Sequence, residues 1–236
     1  MTQDSSLVKI RDLRFRWPGD GHDTLQIPEL LIRPEENMFI MGASGSGKST
    51  LLNLIGGVSL PQQGDLQVLG YDLTRMSAAA RDRLRADHIG YIFQQFNLIP
   101  YLNALENIVL PCRFSAARKQ RVLQRAGSLE AEARRLFDHL FAEGRPDMHK
   151  PVYNLSVGQQ QRIAAARALI GSPELVIADE PTSSLDSDTR EAFMELLLRE
   201  VSESHSSLLF VSHDRSLRRL FENTLQLESV NRGESK

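Results

Sequence analysis

The sequence predicts an α/β fold with a mainly parallel sheet and an inserted helical subdomain. Three observations predict it. In the first and last thirds of the chain, short apolar runs that read as strands are separated by stretches of helical spacing. A glycine-rich loop joins one such run to a helix. From Gln95 to about Ala165 the chain changes character, becoming rich in Ala, Leu, Arg and Glu with no convincing strand.

The elements follow in order. Leu7 to Trp17 places Val8, Ile10, Leu13, Phe15 and Trp17 at roughly strand period, and Pro18-Gly19-Asp20-Gly21 then turns the chain. Met38 to Met41 is a short apolar run, as expected of a buried strand. After the glycine loop, residues 48–58 show helical spacing at Leu51, Leu52, Leu54 and Ile55 before Gly56-Gly57. Residues 64–70 and 89–93 read as further strands, and 104–124 and 127–142 as helical. Leu175 to Ala178 is another buried strand. Residues 188–201 form an amphipathic helix through Ala192, Phe193, Leu196, Leu197 and Val201. Leu208 to Val211 and Thr224 to Leu227 read as the last strands, and residues 231–236 as a frayed tail.

Composition narrows the function classes. Of 236 residues, 41% are hydrophobic and 25% charged, ordinary for a protein with a real core. A formal net charge of −2 and a pI near 6.3 supply no global basic field to draw the chain onto nucleic acid. Cys112, the single cysteine, rules out an internal disulfide, fits a reducing compartment, and reads as a small core hydrophobe. The N-terminal residues carry no apolar run behind a positive start, so no signal peptide is expected. The longest uncharged stretch, residues 89–105, contains Gln94, Gln95, Asn97, Pro100 and Asn103, which a lipid-spanning helix would rarely tolerate.

The chemistry begins at Gly42-Ala43-Ser44-Gly45-Ser46-Gly47-Lys48-Ser49, followed by Thr50. This is the phosphate-binding loop pattern in the context it requires, between an apolar strand and a helix. Glycines let successive backbone N–H groups point inward at phosphates, and the helix adds the positive end of its dipole. Lys48 is expected to reach the β- and γ-phosphates of ATP, and the Ser49 hydroxyl to bind Mg²⁺. In ELVIADEP, residues 174–181, an apolar strand delivers Asp179 and Glu180 at its C-terminal end, where α/β sheets place their ligands. Asp179 is expected to hold Mg²⁺ and Glu180 to orient and activate the attacking water. Two carboxylates at a strand end also read as helix caps, and only the phosphate loop decides between the readings. In NLSVGQQQR, residues 154–162, Ser156 and Gln159 form an ordinary capping box ahead of an apolar helix.

Taken together, the phosphate loop, NLSVGQQQRIAAARAL, ELVIADEP, SSLD and VSHD occur in an order and spacing that resemble the ATPase subunit of an ABC transporter. The segment IGYIFQQFNLIPYLNALENIVLP is most similar to the macrolide-exporter, lipoprotein-releasing and cell-division group. The resemblance covers essentially the whole chain. It implies a P-loop NTPase fold of the ABC ATPase type with an antiparallel N-terminal β part. It further implies one domain, residues 1–236, with a nucleotide-binding core at 1–94 and 166–236 and a helical subdomain at 95–165.

What the resemblance implies can be placed by residue. Gln94 matches the glutamine that senses Mg²⁺ and attacking water. Ser156, Val157, Gly158 and Gln159 match the signature motif that contacts the γ-phosphate held by the opposite subunit. Asp186 matches the loop joining the two sites across the dimer, and His213 the switch histidine on the γ-phosphate. Trp17 matches the aromatic laid against adenine, although a strand aromatic in the core would look the same. The remaining histidines, His22, His88, His139, His149 and His205, form no spaced ligand set and read as solvated or structural. A head-to-tail homodimer follows from the same logic, since a helix N-terminus near Ser156 suits an anion and could close the other copy's site.

Val157 departs from the family pattern, which has glycine there. A β-branched residue disfavours positive φ and adds bulk near the nucleotide, so altered closure is an expectation. The implied partner is a separate permease-type membrane protein docking near residues 94–99, with Phe96, Leu98 and Ile99 as exposed apolar contacts. The implied location is the cytoplasmic face of the inner membrane, held there through that partner. Two other readings are weaker: a soluble ABC-type ATPase acting on nucleic acid or the ribosome, and a small-molecule kinase. The acidic balance opposes the first, and the signature and SSLD are unexplained by the second.

Overall fold

The structure, a computed structural model, describes residues 6–141, 145–183 and 185–233. In chain order the strands and helices begin with β1 (Val8–Phe15), β2 (Leu25–Ile32), β3 (Asn37–Met41), α1 (Lys48–Ile55), β4 (Gln63–Val68) and β5 (Tyr71–Asp72). Next come α2 (Ala78–His88), β6 (Ile89–Ile92), α3 (Ala104–Val109), α4 (Pro111–Phe114), α5 (Ala116–Ala126) and α6 (Leu129–Leu140). The chain closes with α7 (Val157–Leu169), β7 (Leu175–Asp179), α8 (Ser187–Glu203), β8 (Ser207–Val211), β9 (Asn223–Gln226) and α9 (Leu227–Val230). These elements fall into two compact units, one of residues 1–85 with 207–236, the other of residues 86–206.

In the first unit, β2, β1, β4 and β5 form an antiparallel sheet in that order. The alternation of β1 slips by one between Ile10 and Leu13 because the strand bulges. Asp12 takes φ 47°, and the register with β4 shifts between Arg11 and Arg14. Gly64 packs on that bulge at φ 86°, where a Cβ would lie 2.4 Å from the Asp12 carbonyl oxygen, so only glycine fits. β2 carries Pro28 and runs along the sheet edge, where a missing N–H removes no ladder bond. β3 pairs in parallel with β8 on one side and β9 on the other. Met38, Phe39 and Ile40 are buried, and Phe39, Phe210 and Phe221 cluster with ring centroids 5.3–6.0 Å apart.

In the second unit, β6 and β7 pair in parallel, with Ile89 opposite Leu175 and Ile92 opposite Ala178. α7 packs on β6 and against α3, α6 and α8. Glu132 on α6 and Glu200 on α8 are both buried and share Arg135, whose guanidinium nitrogens reach them at 2.9 and 3.2 Å. His139 also contacts Glu200 and, with Glu203, brings ligand atoms within 4.8 Å of one another. With Arg135 already on Glu200 this is an ion-pair cluster binding α6 to α8, a structural place for His139. Arg118, Arg121 and Arg125 on α5 donate to the Ala168 and Ile170 carbonyls, the Gly171 carbonyl and the Ser172 hydroxyl. Cations there complement the C-terminal end of the α7 dipole. Burial pushes the Arg118 guanidinium down to about 10.

Gln161, on α7, is fully buried, and among the described residues neither of its amide atoms has a hydrogen-bond partner. Gln161→Leu is therefore expected to raise stability by about 1–2 kcal/mol, the penalty of two unmatched amide groups. Chemical denaturation would check this; a lowered midpoint at unchanged slope would show that the amide is needed in place. Cys112 is also buried. Among the described residues no helix is long and apolar enough to cross a membrane.

Candidate functional site

In the first unit the chemistry collects at the C-terminal ends of β3, β8 and β9. β3 ends at Met41 and runs straight into the glycine loop, the strand-end position where parallel sheets bind ligands. Gly45 and Gly47 take φ 79° and 97°. Gly47 is the N-cap of α1, and a Cβ there would press to 2.8 Å on Leu25. That left-handed cap lets α1 begin at Lys48 with no side-chain cap, its dipole aimed along the loop. Ala43, Ser44, Gly45 and Ser49 are exposed, whereas Ser46, Lys48 and Thr50 are buried. The Lys48 ammonium donates to the Gly42 and Ala43 carbonyl oxygens, each at 2.8 Å, so its charge is held at the mouth of the loop.

Two further residues complete this region. His213 is exposed just past the end of β8, whose Val211 pairs with Ile40 of β3. Trp17 is exposed. Its ring stands edge-on to Phe15 at 5.0 Å, and its Nε1–H donates to the Thr50 hydroxyl at 3.3 Å. A cleft of about 370 Å³ opens on its side, lined by Arg14, Arg16, Asp23 and Gln62 among others.

What holds the loop in place could not be read from any motif. The Glu228 carboxylate, on α9, accepts the Ala43 N–H at 2.6 Å. That bond, with Lys48 nearby, holds the carboxyl below its ordinary range. Three residues on, Asn231 accepts the Gln26 N–H at 2.7 Å and donates to the Thr24 carbonyl at 3.1 Å. A lone Glu or Asn 185 or more residues away carries no motif, so only folding reveals these contacts.

In the second unit Asp179 ends β7 and Glu180 follows it, while Gln94 is exposed two residues beyond the parallel partner strand β6. Glu180 takes φ 46°, a left-handed conformation that disfavours any side chain and recurs at functional sites. Burial first, and then the Asp179 charge, push the Tyr91 hydroxyl up out of its ordinary range. Tyr91 stacks on Phe93 at 4.3 Å.

The signature segment opens α7 with the capping box that its spacing predicts: Ser156 Oγ accepts the Gln159 N–H, and Gln159 Oε1 accepts the Ser156 N–H. Val157 is the first helical residue and has no positive φ. The strain expected of a β-branched residue there is absent, because this position is helical. Gly158 is helical too, and among the described residues a Cβ on it would meet only Leu185 and Thr189, at an ordinary 3.6 Å. Asp186 caps α8 by accepting the Thr189 N–H at 3.0 Å. Ser184 of SSLD lies outside the described residues.

One expectation is corrected. Phe96 is buried, with 9% exposure, and Leu98 and Ile99 are only half-buried. The exposed aromatic residues nearby are Phe93, Tyr101 and Tyr153. An irregular loop has no period from which its outward face could be read.

Comparisons with known proteins agree with this geometry. The ABC transporter family matches residues 25–183. The ABC transporter ATP-binding protein MJ0796 of Methanocaldococcus jannaschii, described as uncharacterised, is 39% identical over 206 residues, 84% of this chain and 83% of that protein. The lipoprotein-releasing system ATP-binding protein LolD of Pseudomonas fluorescens is 37% identical over 227 residues, 95% of this chain and 96% of its own. A solved dimeric structure of the MJ0796 cassette in a post-hydrolysis state, bound to ADP and Pi, superimposes with a TM-score of 0.77 at 35% identity. It covers 97% of this chain and 98% of that one. The strand-end phosphate loop, the acidic end of β7 and the capped signature helix thus sit in a chain that belongs to the ABC transporter family, as one of its ATP-binding ATPase cassettes.

Proposed function

We propose that this cassette binds ATP with Mg²⁺, dimerises head to tail on it, and uses hydrolysis to drive a separate permease-type membrane protein. The observation that carries the dimer is Gly158. Among the described residues nothing crowds a Cβ at that helical position, which supports a bare backbone kept for a contact outside the chain. A nucleotide held by a second copy would supply it. The relatives point the same way: one is a lipoprotein-releasing ATP-binding protein, and the MJ0796 cassette is dimeric in its solved structures.

The roles follow from chemistry. The glycine-loop amides and Lys48 cradle the phosphates, with Lys48 exchanging its two carbonyl bonds for phosphate oxygens. Adenine lies against Trp17. Glu180 orients the attacking water, and Gln94 and His213 sense the γ-phosphate. The donors fit Mg²⁺: the Ser49 hydroxyl, the Asp179 carboxylate and the Gln94 amide oxygen are hard oxygen ligands. Asp179 and Glu180, at the end of β7, supply the acidic character that a divalent cation needs. When bound, the ion neutralises phosphate charge. The core is assigned to residues 1–94 and 166–236, with the helical subdomain at 95–165.

The partner docks beside residues 94–99, on the cytoplasmic face of the membrane, with Tyr101 and Tyr153 as its aromatic anchors. The Val152 and Tyr153 N–H groups donate to the Leu102 and Pro100 carbonyls, which brings the segments bearing these tyrosines side by side. The test is a pull-down from detergent-solubilised membranes with tagged Glu180→Gln and ATP. A multi-spanning protein should be retained, and Tyr101→Ser should lose it while still binding ATP. Retention of nucleic acid or soluble proteins alone would refute the membrane role and leave the ATPase in place.

A further inference from the structure

The turn that follows Gln94 is held in an unusual way. Phe96 and Asn97 both lie in the left-handed region, at φ 58° and 49°, and neither is a glycine. Two consecutive residues of this kind persist only where their surroundings impose them. Arg167, in the last turn of the signature helix α7, does so: Nη2 donates to the Phe96 carbonyl and Nη1 to the Asn97 carbonyl. From the other side, buried Asn107 on α3 accepts the Ile99 N–H and donates to the carbonyls of Ile99, Leu102 and Asn103.

Arg167 is 9% exposed, and burial pushes its guanidinium down to about 10. Among the described residues no carboxylate forms a salt bridge with it. Burying a guanidinium without an opposite charge is unfavourable, and leucine or methionine would fill a helix face at less cost. The planar fork offers something those side chains lack: two parallel N–H groups at the spacing of successive carbonyls, which lysine cannot reproduce. The same rigid helix carries Ser156, Val157, Gly158 and Gln159 at its other end.

We propose that Arg167 is a positioning residue for ATP hydrolysis, setting the place of Gln94 through the 96–97 turn and tying that place to the signature helix. This rests on the reading of Gln94 given above. Arg167 touches no substrate; it acts through the backbone it grips. A shift of the signature end of α7 would be carried along the helix to those two carbonyls and so to Gln94.

The experiment is a double-mutant cycle on the full chain, measuring kcat and KM for ATP of Gln94→Ala, Arg167→Ala, Arg167→Lys and the Gln94→Ala/Arg167→Ala pair. Arg167→Ala and Arg167→Lys should each lower kcat about tenfold with KM nearly unchanged, the scale of a misplaced catalytic group. Added to Gln94→Ala, Arg167→Ala should lower kcat by less than about twofold more, because both changes disable the same device. Fully additive losses with an impaired Gln94→Ala would overturn the role of Arg167 alone. A wild-type kcat in Gln94→Ala would instead overturn the Gln94 reading, and this inference with it. Arg167→Lys keeps the charge and stem, so it answers even if Arg167→Ala folds poorly; a wild-type kcat in it would refute the fork.

Discussion

Glu180→Gln is expected to lower ATP turnover by about 10²–10⁴-fold, the usual contribution of a positioned general base, while leaving ATP binding intact. The amide has the same size and shape as the carboxylate, so the left-handed backbone at φ 46° and the end of β7 are undisturbed. Lost is the capacity to take a proton from water. A cassette that binds but does not hydrolyse should accumulate as a closed dimer, because the γ-phosphate that joins the copies is never removed. Light scattering behind a sizing column checks this directly. A monomer at saturating ATP would contradict head-to-tail closure of the isolated cassette. Turnover near the wild-type rate would show that another group is the base.

Gly158→Ala should separate stability from activity. Its new methyl meets the Leu185 and Thr189 side chains at 3.6 Å, an ordinary contact, and alanine suits a helical position better than glycine by about 0.5–1 kcal/mol. The thermal midpoint is therefore expected to hold or rise. Turnover is expected to fall about 100-fold, because the added methyl intrudes where the other copy's nucleotide must approach. The decisive measurement combines the two changes: Gly158→Ala in the Glu180→Gln background should remain monomeric with ATP. If that double variant dimerises as Glu180→Gln does, the glycine has no role across the interface. Val157, one residue earlier, is nearly half exposed at 47% and helical, so its bulk is tolerated within the chain.

What was legible depended on how local the determinant is. The glycine loop, the acidic end of β7 and the Ser156–Gln159 capping box each lie within a few consecutive residues, and their chemistry reads directly. β1 was legible as a strand although its phase slips at Asp12, because a bulge moves the alternation without abolishing it. β2 and α2 were not. Pro28 argues against a strand unless the edge position is already known, and α2 buries only Leu84, leaving no apolar stripe. Arg167 and Glu228 act on backbone atoms far along the chain, and backbone partners leave no mark in the sequence. The exposed face of residues 94–99 was misread for a related reason: Phe96 is turned inward by two left-handed residues that no local pattern announces.

The pairing of β3 bears on how the protein comes into being. The strand that feeds the glycine loop has both its neighbours, β8 and β9, beyond residue 206, and the loop's own brace, Glu228, is later still. A ribosome that has made the whole glycine loop has made none of the strands that give it a rigid base. Such distant closures are slow to form. Nucleotide binding should therefore appear only once the chain has been made through Glu228, so that a cassette synthesised only as far as its glycine loop is inert toward the cell's ATP.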